Sequence, residues 1–129
     1  MATAHRFEDL EIWKIAREFA KTIYKITSDN CFKQDYRFSS QIRAAAGSIM
    51  DNIAEGFERN GTKEFMQFLY IAKGSCGECR SQLYRALDVC HIDKETFEHC
   101  YQQTETISKS LSNFIKYLKE SQIKGTKYK

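Results

Sequence analysis

Cys76-Gly77-Glu78-Cys79 sets two thiols about one helical turn apart, and Cys90-His91 and His99-Cys100 add further soft donors downstream. A zinc ion would need four such ligands converging on one point in tetrahedral geometry. Cys76, Cys79 and Cys90 instead fall on the apolar line of a single helix, where thiols act as small core side chains. A thioredoxin-like redox pair is disfavoured too, because the CxxC lies mid-helix with no strand-helix-strand pattern before it. A di-iron carboxylate centre requires Glu-x-x-His on two helices; Glu95 and His99 are i, i+4, and Glu55 shares its helix with no histidine. Neither a Gly-rich phosphate loop nor a nucleophile elbow occurs. The sequence therefore predicts a non-enzyme without metal or cofactor, and binding becomes the chemistry to look for.

The segment QIRAAAGSIMDNIAEG (Gln41 to Gly56) carries two stripes on one helix. Phe38, Ile42, Ala45, Ala46, Ile49 and Ile53 form an apolar arc, and Gln41, Ser48, Asn52, Glu55 and Arg59 line the arc beside it. Neutral amides and hydroxyls flanking a core seam favour hydrogen bonds to another helix or another subunit over bulk water. Two readings stay open: an assembly device, or Asn52 and Glu55 satisfied with Arg59 inside one subunit. A second stripe, Met66, Tyr70, Gly77 and Tyr84 with Gly74 close by, sits opposite a core face. Aromatic and small residues there favour close approach of another helix, so these residues are candidates for an oligomer interface. Arg43, Lys63, Lys73, Arg80 and Arg85, with Lys124 and Lys127 of a basic tail, are the candidates for phosphate contacts, and Tyr70 and Tyr84 could stack bases among them.

Four helices are needed to position these groups. The first spans about 9–27, with Trp13, Ala16, Ala20, Ile23 and Thr27 beside Ile12, Ile15, Phe19 and Ile26, an arc broad enough to be covered partly by a neighbouring subunit. The second spans about 35–58 and ends at the Asn60-Gly61 turn, after which Thr62 is placed to cap the third, 63–90. That helix presents Phe65, Phe68, Leu69, Ala72, Cys76, Cys79, Leu83, Ala86, Leu87 and Cys90 within about 60° of one line. The fourth, 94–121, starts after an Asp93 cap and turns Phe97, Cys100, Ile107, Leu111, Phe114, Ile115 and Leu118 inward, leaving Glu105, Lys109, Lys116 and Glu120 as solvated surface. A flexible basic tail, 122–129, follows. Short connections force antiparallel neighbours, giving a single all-α domain, an up-and-down four-helix bundle.

Composition agrees. The 129 residues include no proline and only six glycines, which leaves long helices as the natural architecture. No apolar run approaches a membrane span and Met1 to Arg6 lacks the features of a secretory signal, so a cytoplasmic protein is expected. Five cysteines fit a reducing compartment. The net charge of +3 is modest, but Lys109 to Lys129 holds six lysines against Glu120, while the first sixty residues balance to zero. That asymmetry reads either as a helix end complementing its dipole before a frayed tail, or as a phosphate-binding tail.

The motifs SIxxNIAEG and KEFxxFLxIAxGS, with FEDLEIWKIAREF (Phe7 to Phe19) before them, resemble the four-helix-bundle proteins encoded in intervening sequences of bacterial 23S ribosomal RNA genes. The resemblance covers nearly the whole chain and fades in the last thirty residues. It implies a left-handed bundle and a ring-like pentamer. A related branch, the accessory variability determinant of diversity-generating retroelements, binds nucleic acid and a reverse transcriptase through a basic barrel. The name "ribosomal protein" attached to some members reflects gene location. This chain departs from the pattern at Ala44 and Gln67, where arginines are usual, at Met50 for proline, and at Arg80 for an acid. Two basic positions are lost and one is gained. The expectation is thus a cytoplasmic homo-oligomer contacting ribosomal RNA or other nucleic acid, the alternative a protein-protein adaptor or structural oligomer.

Overall fold

Alternating apolar faces at helical spacing dictate the architecture, and a computed structural model describes residues 4–123. A short 3-10 turn (Phe7–Asp9) leads into α1 (Glu11–Thr27); a one-turn helix α2 (Asn30–Gln34) precedes α3 (Tyr36–Glu58), α4 (Thr62–Asp88) and α5 (Lys94–Ile123). The chain is all-α, and no strand occurs among the described residues. α1 packs on α3 and α5, and α4 packs on the same two, so the four long helices close a ring of neighbours around one core. Phe19, Ile23, Ile42, Ile49, Ile53, Phe65, Leu69, Leu83, Ile107, Leu111 and Leu118 are fully buried there. Each such side chain contributes about 1.5–3 kcal/mol of transfer free energy.

The turns explain where the helices stop. Asp35 caps α3 by accepting from Phe38 N–H at 3.4 Å, and Asp93 caps α5 by accepting from Thr96 N–H at 2.8 Å. Asn60 ends the α3 turn in the left-handed region at φ 63, tolerable for a short amide side chain. α4 begins differently from expectation: Gly61 is the cap residue and Thr62 already lies in the helix, so no side-chain oxygen caps it. α4 also ends earlier than expected. Cys90 takes φ 64, its N–H bonds to Leu87 C=O at 3.1 Å, and His91 N–H bonds to Ala86 C=O at 2.9 Å. This is a Schellman closure, and it turns Cys90 out to solvent instead of onto the core face. At the far end α5 continues through Gln122 and Ile123, two residues into what the sequence reading treats as tail.

α2 was not foreseen. Its Phe32 is fully buried and packs 5.1 Å from Phe38 and 5.0 Å from His91, which lies against both rings. His91 Nε2 lies 2.9 Å from Asp35 Oδ2. The end of α4 is thereby fastened to the start of α3 across one end of the bundle.

Candidate nucleic-acid interface

The two polar stripes resolve differently once helices are paired. Ser48 Oγ and Ser75 Oγ lie 3.0 Å apart across the α3/α4 seam, and Asn52 Nδ2 donates to Ser48 C=O at 2.7 Å and to its hydroxyl at 2.8 Å. Arg59 donates to Glu55 at 2.9 Å, with both side chains half-exposed, and its guanidinium lies 5.1 Å from the Phe68 ring centre. These bonds satisfy much of the stripe within one chain, while Gln41, like Glu55 and Arg59, is exposed. On the α4 stripe, Met66 is buried in the core cluster and is not an outer-face residue. A Cβ added at Gly74 would meet open space, one added at Gly77 would come 3.7 Å from an Arg80 guanidinium nitrogen, and Tyr70 and Tyr84 are half-exposed.

The basic candidates separate just as clearly. Arg43 donates from Nε to Thr27 Oγ1 at 2.7 Å and from Nη2 to Ser28 Oγ at 3.2 Å, and its guanidinium lies 4.4 Å from the Tyr24 ring centre. It ties the end of α1 to α3. Arg85 lies 4.3 Å from the Phe38 ring centre at the α2/α3 end of the bundle, where its charge helps hold the Asp35 carboxyl below the ordinary value, behind the larger effect of the His91 hydrogen bond. Lys63 is exposed at the start of α4, and Lys124 and Lys127 lie outside the described residues.

Lys73 and Arg80 come together with residues that the sequence reading assigned to plain surface. Along the outer face of α5, with Arg80 reaching in from α4, runs an open groove of about 610 Å³, lined by Arg80, Tyr101, Gln102, Glu105, Ser108, Lys109, Ser112 and Asn113 among others. A second hollow of about 230 Å³, lined by Tyr70, Lys73, Ser112, Ile115, Lys116 and Lys119, continues it past Ser112. Five bases face one acid, Glu105, along the two hollows. Lys119 Nζ stands 5.6 Å from the Tyr70 ring centre. At the other end Tyr84 lies 4.9 Å from Phe97 and 5.9 Å from Tyr101. Tyr84 is the leading cause holding the Tyr101 phenol above its ordinary value. The groove thus offers cations, hydroxyl and amide donors and aromatic faces, the inventory of a phosphate- and base-contacting surface. The sequence counts Lys109 and Lys116 among the C-terminal lysines but sets them on a solvated face, because a wheel drawn for α5 alone shows a mixed face; its antiparallel pairing with α4 brings them to the same hollows as Arg80 and Lys73.

The cysteines offer no comparable site. Cys76 donates to Thr104 C=O at 3.1 Å, burial pushes the Cys76 and Cys100 thiols up to about 11, and it pushes Cys79 higher still. Among the described residues no three His, Cys, Asp or Glu side chains gather to hold a metal ion.

With this geometry in hand, the family model described as 23S rRNA-intervening sequence protein matches residues 8–113. The chain belongs to that family. Among solved structures, a protein of unknown function from the S23 ribosomal protein family of Bacteroides thetaiotaomicron is similar at 26% identity. The alignment covers 81% of this chain and 98% of that one, with a TM-score of 0.75. A search of curated proteins finds no match. The region matched to the 23S rRNA-intervening sequence family takes in all of α1 to α4 and α5 as far as Asn113, hence most of the groove, while Lys116 and Lys119 lie beyond it. No helix among the described residues is long and apolar enough to cross a membrane.

Proposed function

We propose that this 23S rRNA-intervening sequence protein is a non-enzymatic RNA- or DNA-binding bundle that acts as a homo-oligomer, with the α4/α5 groove reading phosphates. The observation that carries this is the concentration of Arg80, Lys109, Lys73, Lys116 and Lys119 along one groove against a single acid. A chain of net charge +3 gains little from bulk electrostatics, but local bases release counterions phosphate by phosphate, and repetition in an oligomer multiplies the effect. The family name and the ribosomal label of the Bacteroides relative support ribosomal RNA as the first probe.

Titration of the purified chain into labelled structured ribosomal RNA and duplex DNA tests it, with assembly followed by light scattering. Four groove contacts would weaken binding on the order of 100-fold between about 50 and 200 mM salt. Combined Lys73→Ala, Arg80→Ala, Lys109→Ala and Lys116→Ala would flatten that dependence. A protein-protein adaptor is the second reading, favoured by Ile71, an exposed aliphatic on the outer flank of α4 beside open Gly74. Absence of nucleic-acid binding at low salt, with an oligomer or a pulled-down partner lost on Ile71→Asp, would select it.

A further inference from the structure

Tyr70 and Tyr84 are 49% and 51% exposed; Tyr70 lines one end of the basic groove and Tyr84 flanks the other through its contact with Tyr101. Tyr70 shares its hollow with Lys73, Lys116 and Lys119, and Tyr84 edges against Tyr101, which lines the other hollow. Duplex nucleic acid turns its bases inward and offers a groove of this kind mainly phosphates. An unpaired strand offers both phosphates and base faces, and an aromatic ring on a basic track is a sequence-tolerant platform for such faces. An acidic peptide would satisfy the lysines but leave the two exposed rings without a role.

We propose that the groove binds a single-stranded segment of nucleic acid, one base stacking on Tyr70 and another on the Tyr84/Tyr101 pair, with the intervening phosphates held by Lys73, Lys116 and Arg80. This rests on the phosphate-reading groove proposed above. At a rise of about 1.5 Å per residue, Tyr70 and Tyr84 lie about 21 Å apart along α4. A strand that keeps duplex-like stacking rises about 3.4 Å per nucleotide, so it covers that span in about six steps. Affinity should therefore climb with oligonucleotide length to about seven nucleotides and rise only slowly beyond.

The test uses the full chain and fluorescence anisotropy with labelled RNA oligonucleotides of four to twelve nucleotides, the same twelve-nucleotide strand annealed to its complement, and a polyglutamate peptide. The expected result is single-strand binding at least about 10-fold tighter than duplex binding. Tyr70→Leu should weaken single-strand binding about 5- to 100-fold with the salt slope unchanged, while Tyr70→Phe retains it, because the ring and not the hydroxyl stacks. Lys73→Ala with Lys116→Ala should lower the salt slope itself. Both Tyr70 variants alter a half-exposed side chain, and circular dichroism confirms their fold. Equal single-strand and duplex affinity with a neutral Tyr70→Leu would overturn stacking and leave the phosphate groove standing. Equal capture of polyglutamate would overturn recognition of nucleic acid, and no binding of any oligonucleotide would remove both the stacking and the groove beneath it.

Discussion

At the scale of single residues, similar side chains acquire opposite roles from what surrounds them. Arg43 looks like a free base in the sequence but is spent on Thr27, Ser28 and the Tyr24 ring. Arg43→Ala should cost about 2 kcal/mol in urea unfolding, the scale of charge-assisted hydrogen bonds, and leave oligonucleotide affinity within about twofold. Cys90 pays for its left-handed backbone without the freedom of glycine, so Cys90→Gly should raise stability by about 1 kcal/mol. Three thiols, Cys76, Cys79 and Cys100, are buried, and two, Cys31 and Cys90, are exposed. A thiol reagent should accordingly label two cysteines quickly in the native protein and the other three only on unfolding; rapid labelling of all five would contradict the packing. The Asp35 carboxyl is held below its ordinary value of 3.8, first by the His91 hydrogen bond. A depressed carboxylate stabilises the fold above its unfolded value and loses that contribution as pH falls through the folded one. The stability difference between wild type and Asp35→Asn should then be present near neutrality and vanish in the acid range below 3.8, read by denaturation at stepped pH.

At the scale of elements, the apolar arc of α3 was fully legible: Phe38, Ile42, Ala45, Ala46, Ile49 and Ile53 are all buried as the 3.6-residue period requires. Periodicity could not show α2, since one turn is too short to establish a period and Phe32 gains its meaning only from Phe38 and His91 across space. Nor could it date the end of α4, because continuing the apolar line through Cys90 ignores the backbone reversal that satisfies the last carbonyls. The glycine of NIAEG is likewise a matter of pairing. A Cβ on Gly56 would come 2.6 Å from Phe68 Cβ and 3.0 Å from a Phe65 ring carbon, so α3 and α4 approach too closely there for any side chain. Gly56→Ala should cost about 2 kcal/mol or more. Gly74→Ala, whose added methyl meets nothing, should instead stabilise α4 by about 0.5–1 kcal/mol, and thermal unfolding of the pair separates the two cases.

At the scale of the whole molecule, the fold class followed from absent proline and four amphipathic segments, whereas the candidate groove did not. A groove belongs to two helices at once, and a sequence read one helix at a time divides its lysines between two unremarkable faces. Lys73 and Arg80 were visible singly; their alignment with Lys109 and Lys116 needed the antiparallel register. The ring of helix neighbours has a kinetic consequence as well. α3/α4 and α4/α5 join segments adjacent along the chain, and only α1 against α5 closes over a long stretch of sequence, through the lightest of the four seams. Loop-closure entropy makes that seam the last to form and the first to part. Amide protons along the α1/α5 seam should exchange with solvent ahead of those in the middle of α3 and α4, so that the protein breathes like a barrel parting at the joint between its first and last staves while the α3/α4 pair holds together.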